Sequence, residues 1–242
     1  MTPTRRLQLG DLDLSIIDPF ERDVEYIYNE IFRDRAYYHP RIELPDRPTI
    51  IDVGGNIGLF TIWAARNYRP RTILSYEASP TTYACLVDNV ARHVDRQTTD
   101  VACVNLAVSS EAGLELVLHQ PPWTSGLSTL LDAATLPWLD ELREKGELHA
   151  HKVKSTTVSR EMALRGLAAI DLLKIDVEGH FMEVLAGITP ADMAKVRNIV
   201  LEGEYVETLG HSVDSICAML RQMGFAVEAK DAGDCMFHAW RP

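Results

Sequence analysis

The sequence predicts an α/β protein in which a mainly parallel sheet is covered by helices on both faces. Three observations support this fold class. From about residue 49 an apolar run, a turn and a helical pattern follow one another repeatedly, as in parallel sheets with crossover helices. The 242 residues, 46% of them hydrophobic, suffice for a full-sized core. Aromatic and β-branched residues are spread along the chain, which excludes wholesale disorder.

Seven apolar runs in this repeating part predict strands. They cover residues 49–53, 72–76, 101–108, 172–176, 199–202, 225–229 and 236–239. Periodic apolar positions predict the helices, at residues 57–67, 81–93, 181–185 and 213–223. In the last helix, Ile216, Leu220 and Met223 follow the spacing of one helical face, and Ser212 is expected as its N-cap.

The residues before this repeat are expected to form an N-terminal extension. Alternating residues on either side of Gly10 and Asp11 predict a hairpin, and residues 21–35 predict a helix. Because no linker or repeat divides the chain, we expect a single domain. Its parts are a cap over residues 1–48 and a core over residues 49–242, together spanning 1–242.

A long excursion over residues 114–167 separates the third and fourth strands of the repeat. Its pattern predicts strands near 114–118 and 151–158 and a charged helix near 138–145. An excursion at this point projects from the sheet where a lid or a substrate wall would lie. An ornamental insertion is the alternative interpretation.

Charge and cysteine content exclude several classes of protein. With 24 basic and 35 acidic residues, the net charge of −11 lacks the basic footprint of a nucleic-acid binder. No apolar run approaches the roughly 18 residues of a membrane-spanning helix, and residues 1–6 do not lead into a signal peptide. The cysteines show no C-x-x-C spacing, which favours free thiols in a cytoplasmic protein. They are Cys85, Cys103, Cys217 and Cys235.

A glycine-rich turn joins the first strand of the repeat to its helix, in the sequence Ile-Asp-Val-Gly-Gly-Asn-Ile-Gly over residues 51–58. Gly54 permits a tight turn, Gly55 lets a ligand approach the backbone, and Gly58 allows close packing of the helix. Glu77 ends the second strand, near the position about 20 residues onward at which a ribose-binding acid is expected. The turn and this acid together predict a nucleoside ligand.

Asp52 indicates which nucleoside. The spacing does not fit the G-x-G-x-x-G fingerprint of a dinucleotide site, but it fits D-x-G-x-x-x-G. A carboxylate at this position would repel a pyrophosphate and attract the ammonium group of an amino acid, directly or through water. S-adenosylmethionine carries a ribose and an amino-acid ammonium but no phosphate, so it is the predicted cofactor.

Four segments in order resemble the motifs of FkbM-type S-adenosylmethionine-dependent methyltransferases. These are residues 51–58, 76–80, 105–109 and 172–179. The resemblance covers about residues 20–205. It implies a Rossmann-like, seven-stranded class I methyltransferase sheet and, commonly, O-methylation of natural products or sugars. The family usually has alanine at the position of Gly55, and glycine there should only loosen the turn. It also commonly has an acid at the position of Phe181, so no catalytic role tied to that acid is carried over.

Carried over by position, the resemblance implies a set of cofactor-binding residues. Glu77 would hold the ribose. The remaining residues would contact the methionine part (Asp52, Gly54, Asn56, Gly58) or lie near the adenine (Ala78, Leu106, Ala107). We add Gly55, because it belongs to the same turn.

Candidates for catalysis follow the fourth strand, where open α/β sheets bind ligands. Methyl transfer to oxygen requires alignment of a hydroxyl group and a destination for its proton. Asp176, Glu178 and His180 are candidates, with Asp176 ranked first. In an extended segment their spacing places them on one side, where they could hold a divalent cation. For His180, a half-exposed loop residue is the alternative, and Lys174 is expected to pair with an acid.

The next strand ends in Glu202 and Glu204, across the same crevice. Glu202 is expected to support catalysis or to share a metal, for which Asp176, Glu178 and Glu202 are the candidate ligands; pairing with a basic residue is the alternative. Aromatic residues (Tyr37, Tyr38, Trp123) and the loop 124–128 are candidates for contact with the acceptor or the sulfonium. Acids gathered at one edge of the sheet suit a cationic cofactor.

The predicted function is therefore methyl transfer from S-adenosylmethionine to a hydroxyl group of a small molecule. The acceptor would be a polyketide, a peptide natural product or a sugar, either free or tethered to a carrier protein. Three alternatives remain open at this point: N- or C-methylation on the same fold, a non-catalytic nucleoside-binding scaffold, and an NAD-dependent oxidoreductase, which the spacing of the turn disfavours.

Overall fold

A computed structural model describes residues 4–17, 20–232 and 234–242. The strands are β1 (Thr4–Leu9), β2 (Leu12–Ile17), β3 (Thr49–Val53), β4 (Thr72–Tyr76), β5 (Asp100–Val104), β6 (Ala107–Val108), β7 (Glu115–Gln120), β8 (His149–Thr156), β9 (Leu172–Ile175), β10 (Asn198–Gly203), β11 (Ala226–Ala232) and β12 (Asp234–Trp240). The helices are α1 (Glu21–Tyr28), α2 (Leu59–Tyr68), α3 (Pro80–His93), α4 (Trp138–Glu144), α5 (Val158–Arg165), α6 (Phe181–Ala186), α7 (Pro190–Met193) and α8 (Val213–Gln222). A π-helix, Asn29–Asp34, continues α1.

Seven of the described strands form one sheet in the order β11-β12-β10-β9-β3-β4-β5. The pairs from β10 to β5 are parallel, whereas β12 runs antiparallel to both of its neighbours. This confirms the predicted Rossmann-like, seven-stranded α/β fold. The strand order reverses beside β3, so the ends of β3, β4 and β9 define the crevice in which such sheets bind ligands.

The predicted strands at 49–53 and 72–76 are confirmed to the residue. Adjacent residues of β3 serve opposite faces: Ile50 packs in a core with the N-terminal hairpin, α1, α2 and α3, while Ile51 packs in a core with α5, α6 and α8. Burial on both faces explains why these strands are mostly apolar.

Capping residues determine where two of the helices begin. Ser79 accepts a hydrogen bond from the Thr82 backbone N–H, with Pro80 in the first helical position of α3. The predicted N-cap Ser212 is confirmed and forms a reciprocal capping box with Ser215.

The predicted strand 101–108 is wrong as a single element. The structure divides it into β5 in the large sheet and β6, which joins a three-stranded sheet in the order β6-β8-β7. Between them, the Asn105 side-chain amide donates to the backbone carbonyls of Glu77 and Ala78. These bonds draw the chain out of the sheet toward the end of β4, which a pattern of apolar residues does not reveal.

The excursion contributes β7, α4, β8 and α5. The two predicted strands and the helix are present with shifted ends, whereas α5 was not predicted.

The predicted helix 21–35 is α-helical only to Tyr28, continues as the π-helix and ends at Arg35 in a left-handed conformation (φ 55°). Within the described residues, no helix combines the length and the apolar character needed to cross a bilayer.

The buried side chain of Asn89 fastens the N-terminal hairpin to α3. Its Oδ1 accepts from the Ser15 N–H at 2.6 Å, and its Nδ2 donates to the carbonyls of Ser15 at 2.9 Å and Ile57 at 2.8 Å. All of these groups are backbone groups at the junction of the extension and the core. Hydrogen bonds to backbone groups at this junction are costly to lose, because no other group replaces the Asn89 side chain as their partner.

We expect Asn89→Ala to lower the free energy of unfolding by about 2–4 kcal/mol, because three backbone groups lose their partner at once. Urea unfolding measures this loss. The control is Asn67→Ala at an exposed position of α2, where the side chain makes one bond to the Trp63 carbonyl. Equal effects of the two substitutions would contradict the proposed role of Asn89.

Candidate functional site

A cavity opens at the ends of β3, β4, β9 and β10 and is closed by α1, the π-helix and the loop 125–130. Most of the residues predicted to bind the cofactor or to act in catalysis line it, namely Gly54, Gly55, Asn56, Glu77, Ala78, Leu106, Ala107, Asp176, Glu178, His180 and Glu202. Two do not: Asp52 and Gly58 lie outside the lining. The cavity therefore gathers residues from all four motif segments.

The glycine turn lies directly beneath this cavity. Gly54 has φ 81°, and a Cβ at that position would lie 1.6 Å from the Asp176 carbonyl oxygen, so another residue does not fit here. The backbone N–H groups of Gly54 and Gly55 both donate to the Tyr76 carbonyl, at 3.0 and 2.8 Å. The helix α2 begins at Leu59, two residues later than predicted, because Asn56 and Gly58 have positive φ.

Gly55 has a second role that the sequence did not indicate. A Cβ at Gly55 would lie 2.3 Å from the Ser75 hydroxyl oxygen, which donates to Asp52 at 3.0 Å. The expectation that glycine here only loosens the turn is therefore wrong. Its lack of a side chain makes room for the hydroxyl group that binds Asp52.

Asp52 is fully buried below the turn, at 0% exposure. Its Oδ2 accepts from the Thr61 hydroxyl at 2.6 Å and from the Ser75 hydroxyl, and its Oδ1 lies 3.3 Å from the Lys174 Nζ. The prediction of direct contact between this carboxylate and a ligand ammonium does not agree with this position. Asp52 instead holds the strand and the helix on either side of the turn.

Lys174 joins Asp52 to the cavity. Its Nζ donates to the Gly54 carbonyl at 2.6 Å, lies 3.0 Å from the Asp176 Oδ2, and lies 5.5 Å from the centre of the Tyr37 ring. Burial lowers the pKa of the ammonium, but Asp176 and Asp52 outweigh burial and raise that pKa above its ordinary value. The predicted pairing of Lys174 with an acid is confirmed.

Glu77 presents a buried carboxyl group at the end of β4. Its Oε2 accepts from the Asn56 N–H at 2.9 Å, and its Oε1 accepts from the Ser79 N–H at 2.7 Å. Burial raises the pKa of Glu77 to about 7, although both N–H groups favour the ionised form. This carboxyl group therefore changes its charge near neutral pH.

Tyr37 links two of the predicted catalytic acids. Its hydroxyl group lies 3.0 Å from the Asp176 Oδ2 and 2.8 Å from the Glu202 Oε2. Burial, together with Asp176 and Glu30, raises the pKa of Glu202 to about 8. The Tyr37 hydroxyl group has one proton and donates it to one carboxylate at a time. A protonated Glu202 can therefore donate to the Tyr37 oxygen while Tyr37 donates to Asp176. Two other predicted aromatic contacts, Tyr38 and Trp123, lie outside the cavity lining.

The expected side-by-side arrangement of Asp176, Glu178 and His180 is wrong. The chain turns after β9, Glu178 has φ 49°, and the three residues do not lie on one side of an extended segment. The acids that do come together are Asp176, Glu202 and Glu204, each with a carboxylate oxygen within 4.8 Å of the others. Glu178 is therefore replaced by Glu204 in the group of candidate metal ligands.

His180 is 9% exposed, so the half-exposed alternative is wrong. It lies on the cavity wall, with its Nε2 3.0 Å from the Ser109 hydroxyl. Burial lowers the pKa of its imidazole, which favours the neutral ring.

Hydrogen bonds between α1 and the loop 125–130 close the cavity. The sequence patterns did not predict them. Asp23 of α1 accepts from the backbone N–H groups of Ser125 and Gly126 at 3.2 and 3.3 Å. The Ser125 hydroxyl donates to the Asn56 Oδ1 at 2.9 Å, which ties the loop to the glycine turn. Asp23 lies more than 100 residues from the loop in the chain, so its spacing carries no signal.

The cavity is strongly acidic. Its described lining includes six carboxyl groups but, among lysines and arginines, only Lys174. The acids are Asp23, Glu30, Glu77, Asp176, Glu178 and Glu202. Such a cavity favours a ligand that carries positive charge.

The sequence is similar to a known family of methyltransferases. Residues 52–227 match the profile of the Methyltransferase FkbM domain. The chain is 32% identical over 229 residues to 31-O-demethyl-FK506 methyltransferase FkbM of Streptomyces tacrolimicus, covering 86% of this chain and 84% of that protein. It is 33% identical over 198 residues to Methyltransferase sdnD of Sordaria araneosa, covering 74% of each. It is 29% identical over 235 residues to AMB antimetabolite synthetase AmbE of Pseudomonas aeruginosa, covering 86% of this chain and 11% of that protein.

We expect Lys174→Met to lower the free energy of unfolding by about 3–5 kcal/mol, because it leaves two carboxylates without their buried cation. The double variant Lys174→Met/Asp52→Asn should recover part of this loss, since one of those charges is then removed. Urea unfolding of both variants tests this.

The matched control is Lys195→Met, which breaks an exposed ion pair with Asp192 and should change the free energy by at most about 1 kcal/mol. A small loss in Lys174→Met, similar to the control, would show that the buried ammonium is not required for stability.

Proposed function

Because this chain belongs to the FkbM family of S-adenosylmethionine-dependent methyltransferases, we propose that it methylates a hydroxyl group of a small molecule. The observation that carries this proposal is the position of Asp176. Its carboxylate lines the cavity beside the glycine turn, with one oxygen held by Lys174 and Tyr37. A carboxylate so placed can receive the proton of a hydroxyl group.

The cofactor, in this proposal, lies along the glycine turn. Glu77 accepts hydrogen bonds from the ribose hydroxyls, and Ala78, Leu106 and Ala107 border the adenine. Gly54, Gly55 and Asn56 border the methionine part, while Asp52 and Gly58 act indirectly by shaping the turn. The acidic lining and the presence of the turn residues in that lining support this placement.

The bound cofactor supplies an activated methyl group on a sulfonium. With the cofactor held there, Asp176 would receive the proton of the acceptor hydroxyl group as that group is methylated. Lys174 keeps Asp176 oriented toward the cavity. Glu202 supports Asp176 through Tyr37, and Glu178 and His180 orient the acceptor from the adjoining wall.

The acceptor is proposed to enter between α1, the π-helix and the loop 125–130. Tyr26, Ile27 and Leu127 form an apolar part of this wall, which suits a polyketide, a peptide product or a partly apolar sugar. The name of the Streptomyces tacrolimicus relative supports oxygen as the accepting atom. The match to part of a synthetase supports an acceptor tethered to a carrier protein.

We also treat residues 1–242 as one methyltransferase domain, with 1–48 as its cap. The N-terminal hairpin and α1 share one buried cluster with β3, α2 and α3, which supports this division. No disulfide joins the four cysteines, all of which lie in the described part of the chain, which supports a cytoplasmic location.

We expect Glu77→Gln to weaken binding of S-adenosylhomocysteine by about 5- to 150-fold, the equivalent of about 1–3 kcal/mol. The wild-type affinity should also depend on pH. Ribose hydroxyls donate to the ionised carboxylate, so a pKa of about 7 implies roughly tenfold weaker binding at pH 6 than at pH 8. Calorimetric titrations at both pH values measure each effect.

The variant Glu77→Gln should lose this pH dependence, because its amide does not titrate. As a control, Glu202→Gln removes the cavity acid with a pKa of about 8 and should retain the dependence. A pH dependence that survives in Glu77→Gln and disappears in Glu202→Gln would argue against a ribose site at Glu77.

We expect Asp176→Asn to lower turnover by at least about 100-fold while S-adenosylhomocysteine binds within about threefold of wild type. The amide keeps the shape of the side chain but receives no proton. Transfer of a labelled methyl group to a panel of polyketide, peptide and sugar acceptors measures turnover, and Asp192→Asn, outside the cavity lining, is the control. Full turnover in Asp176→Asn would exclude it as the base, and cofactor binding without transfer to any acceptor would favour the scaffold alternative.

A further inference from the structure

Three carboxyl groups converge where β9 and β10 end. Asp176 follows β9, Glu202 lies near the end of β10, and Glu204 follows that strand directly. The strands are parallel neighbours, with Leu201 paired to Ile175, so their ends meet at one edge of the sheet. As a result, one oxygen from each acid lies within 4.8 Å of the other two.

The charges in this region do not balance. Glu202 is 8% exposed and Glu204 is 9% exposed, and both neighbour Asp176. The nearby ammonium of Lys174 is already shared between Asp52 and Asp176. With Asp52, Asp176, Glu202 and Glu204 all ionised, these four carboxylates and the Lys174 ammonium carry a net charge of −3. Buried charge of one sign requires either a counter-ion or protons.

Glu204 provides a second, independent observation. Its Oε2 accepts from the Gly179 backbone N–H at 3.2 Å, whereas its Oε1 is buried and has no hydrogen-bond partner among the described residues. A buried carboxylate oxygen without a donor is unusual, and it requires either a proton on the carboxyl group or an occupant of the adjoining space, such as a cation. The unpartnered oxygen belongs to one of the three converging acids.

We propose that Asp176, Glu202 and Glu204 bind one hard divalent cation of the Mg²⁺, Mn²⁺ or Ca²⁺ class. Such ions take oxygen ligands, at about 2.1 Å for Mg²⁺ and about 2.4 Å for Ca²⁺, so opposite ligand oxygens lie about 4.2–4.8 Å apart. One oxygen from each of the three acids lies within 4.8 Å of the other two, so the acids are close enough to share one such ion. A divalent cation reduces the net charge of the region from −3 to −1.

Asp176 and Glu202 also line the cavity, so the remaining coordination positions of the cation can face it. There the cation would lower the pKa of a coordinated hydroxyl group. This role rests on the proposed methyl transfer, whereas the binding site does not, because cation binding requires neither cofactor nor acceptor.

Titration of the chelator-treated full chain with Mn²⁺, with free Mn²⁺ followed by electron paramagnetic resonance, tests the site. We expect one Mn²⁺ per chain, displaced by Mg²⁺ or Ca²⁺, and at least tenfold weaker binding in Glu204→Gln. Because Glu204 lies outside the cavity lining, this variant should bind S-adenosylhomocysteine within about threefold of wild type. The matched control is Glu207→Gln, an exposed acid three residues onward, which should bind Mn²⁺ as wild type does.

Failure of the wild-type chain to bind Mn²⁺ at millimolar concentration would overturn the proposal and indicate that the acids hold protons instead. Equal binding by wild type, Glu204→Gln and Glu207→Gln would overturn it too, because the ion would then lie elsewhere on an acidic surface. If Glu204→Gln does not fold, Glu202→Gln tests the same site. Mn²⁺ binding without methyl transfer would uphold the site and count against the proposed function alone.

Discussion

The buried ammonium of Lys174 is the interaction on which the site depends. It lies between Asp52, the Gly54 carbonyl and Asp176, so one charge connects the strand before the glycine turn, the turn itself and the acid proposed as the base. A buried cation stabilises a structure only when its partners are positioned to compensate it. The hydroxyls of Thr61 and Ser75 donate to the Asp52 Oδ2, while its Oδ1 faces the Lys174 ammonium.

This network explains why the two halves of the cavity keep a common geometry. Asp176 lines the cavity where the acceptor is proposed to bind, and Lys174 ties it to the turn along which the cofactor is proposed to lie. Tyr37 belongs to the N-terminal extension, and its hydroxyl group contacts the carboxyl groups of Asp176 and Glu202. The extension is thus part of the cavity wall, and Asn89 attaches its hairpin to α3.

Some elements could be predicted from the sequence because a local cause defines them. The strands β3 and β4 are mostly apolar runs, as expected of strands buried on both faces, and α8 begins after Ser212 because the hydroxyl of that residue caps the helix. The division between β5 and β6 has a distant cause, since Asn105 bonds to carbonyls at the end of β4. Likewise, Asp23 meets Ser125 across about 100 residues, and no spacing rule connects them.

The sequence by itself determined the fold class, the glycine turn, the acid at Glu77 and the family, because each depends on residues close together in the chain. Only the tertiary structure decided which acids act together. It placed Asp52 beneath the turn rather than in the cavity, and it grouped Asp176 with Glu202 and Glu204 rather than with Glu178. The physical reason is that parallel strands bring their ends together across the sheet, whereas the turn after β9 directs neighbouring side chains apart.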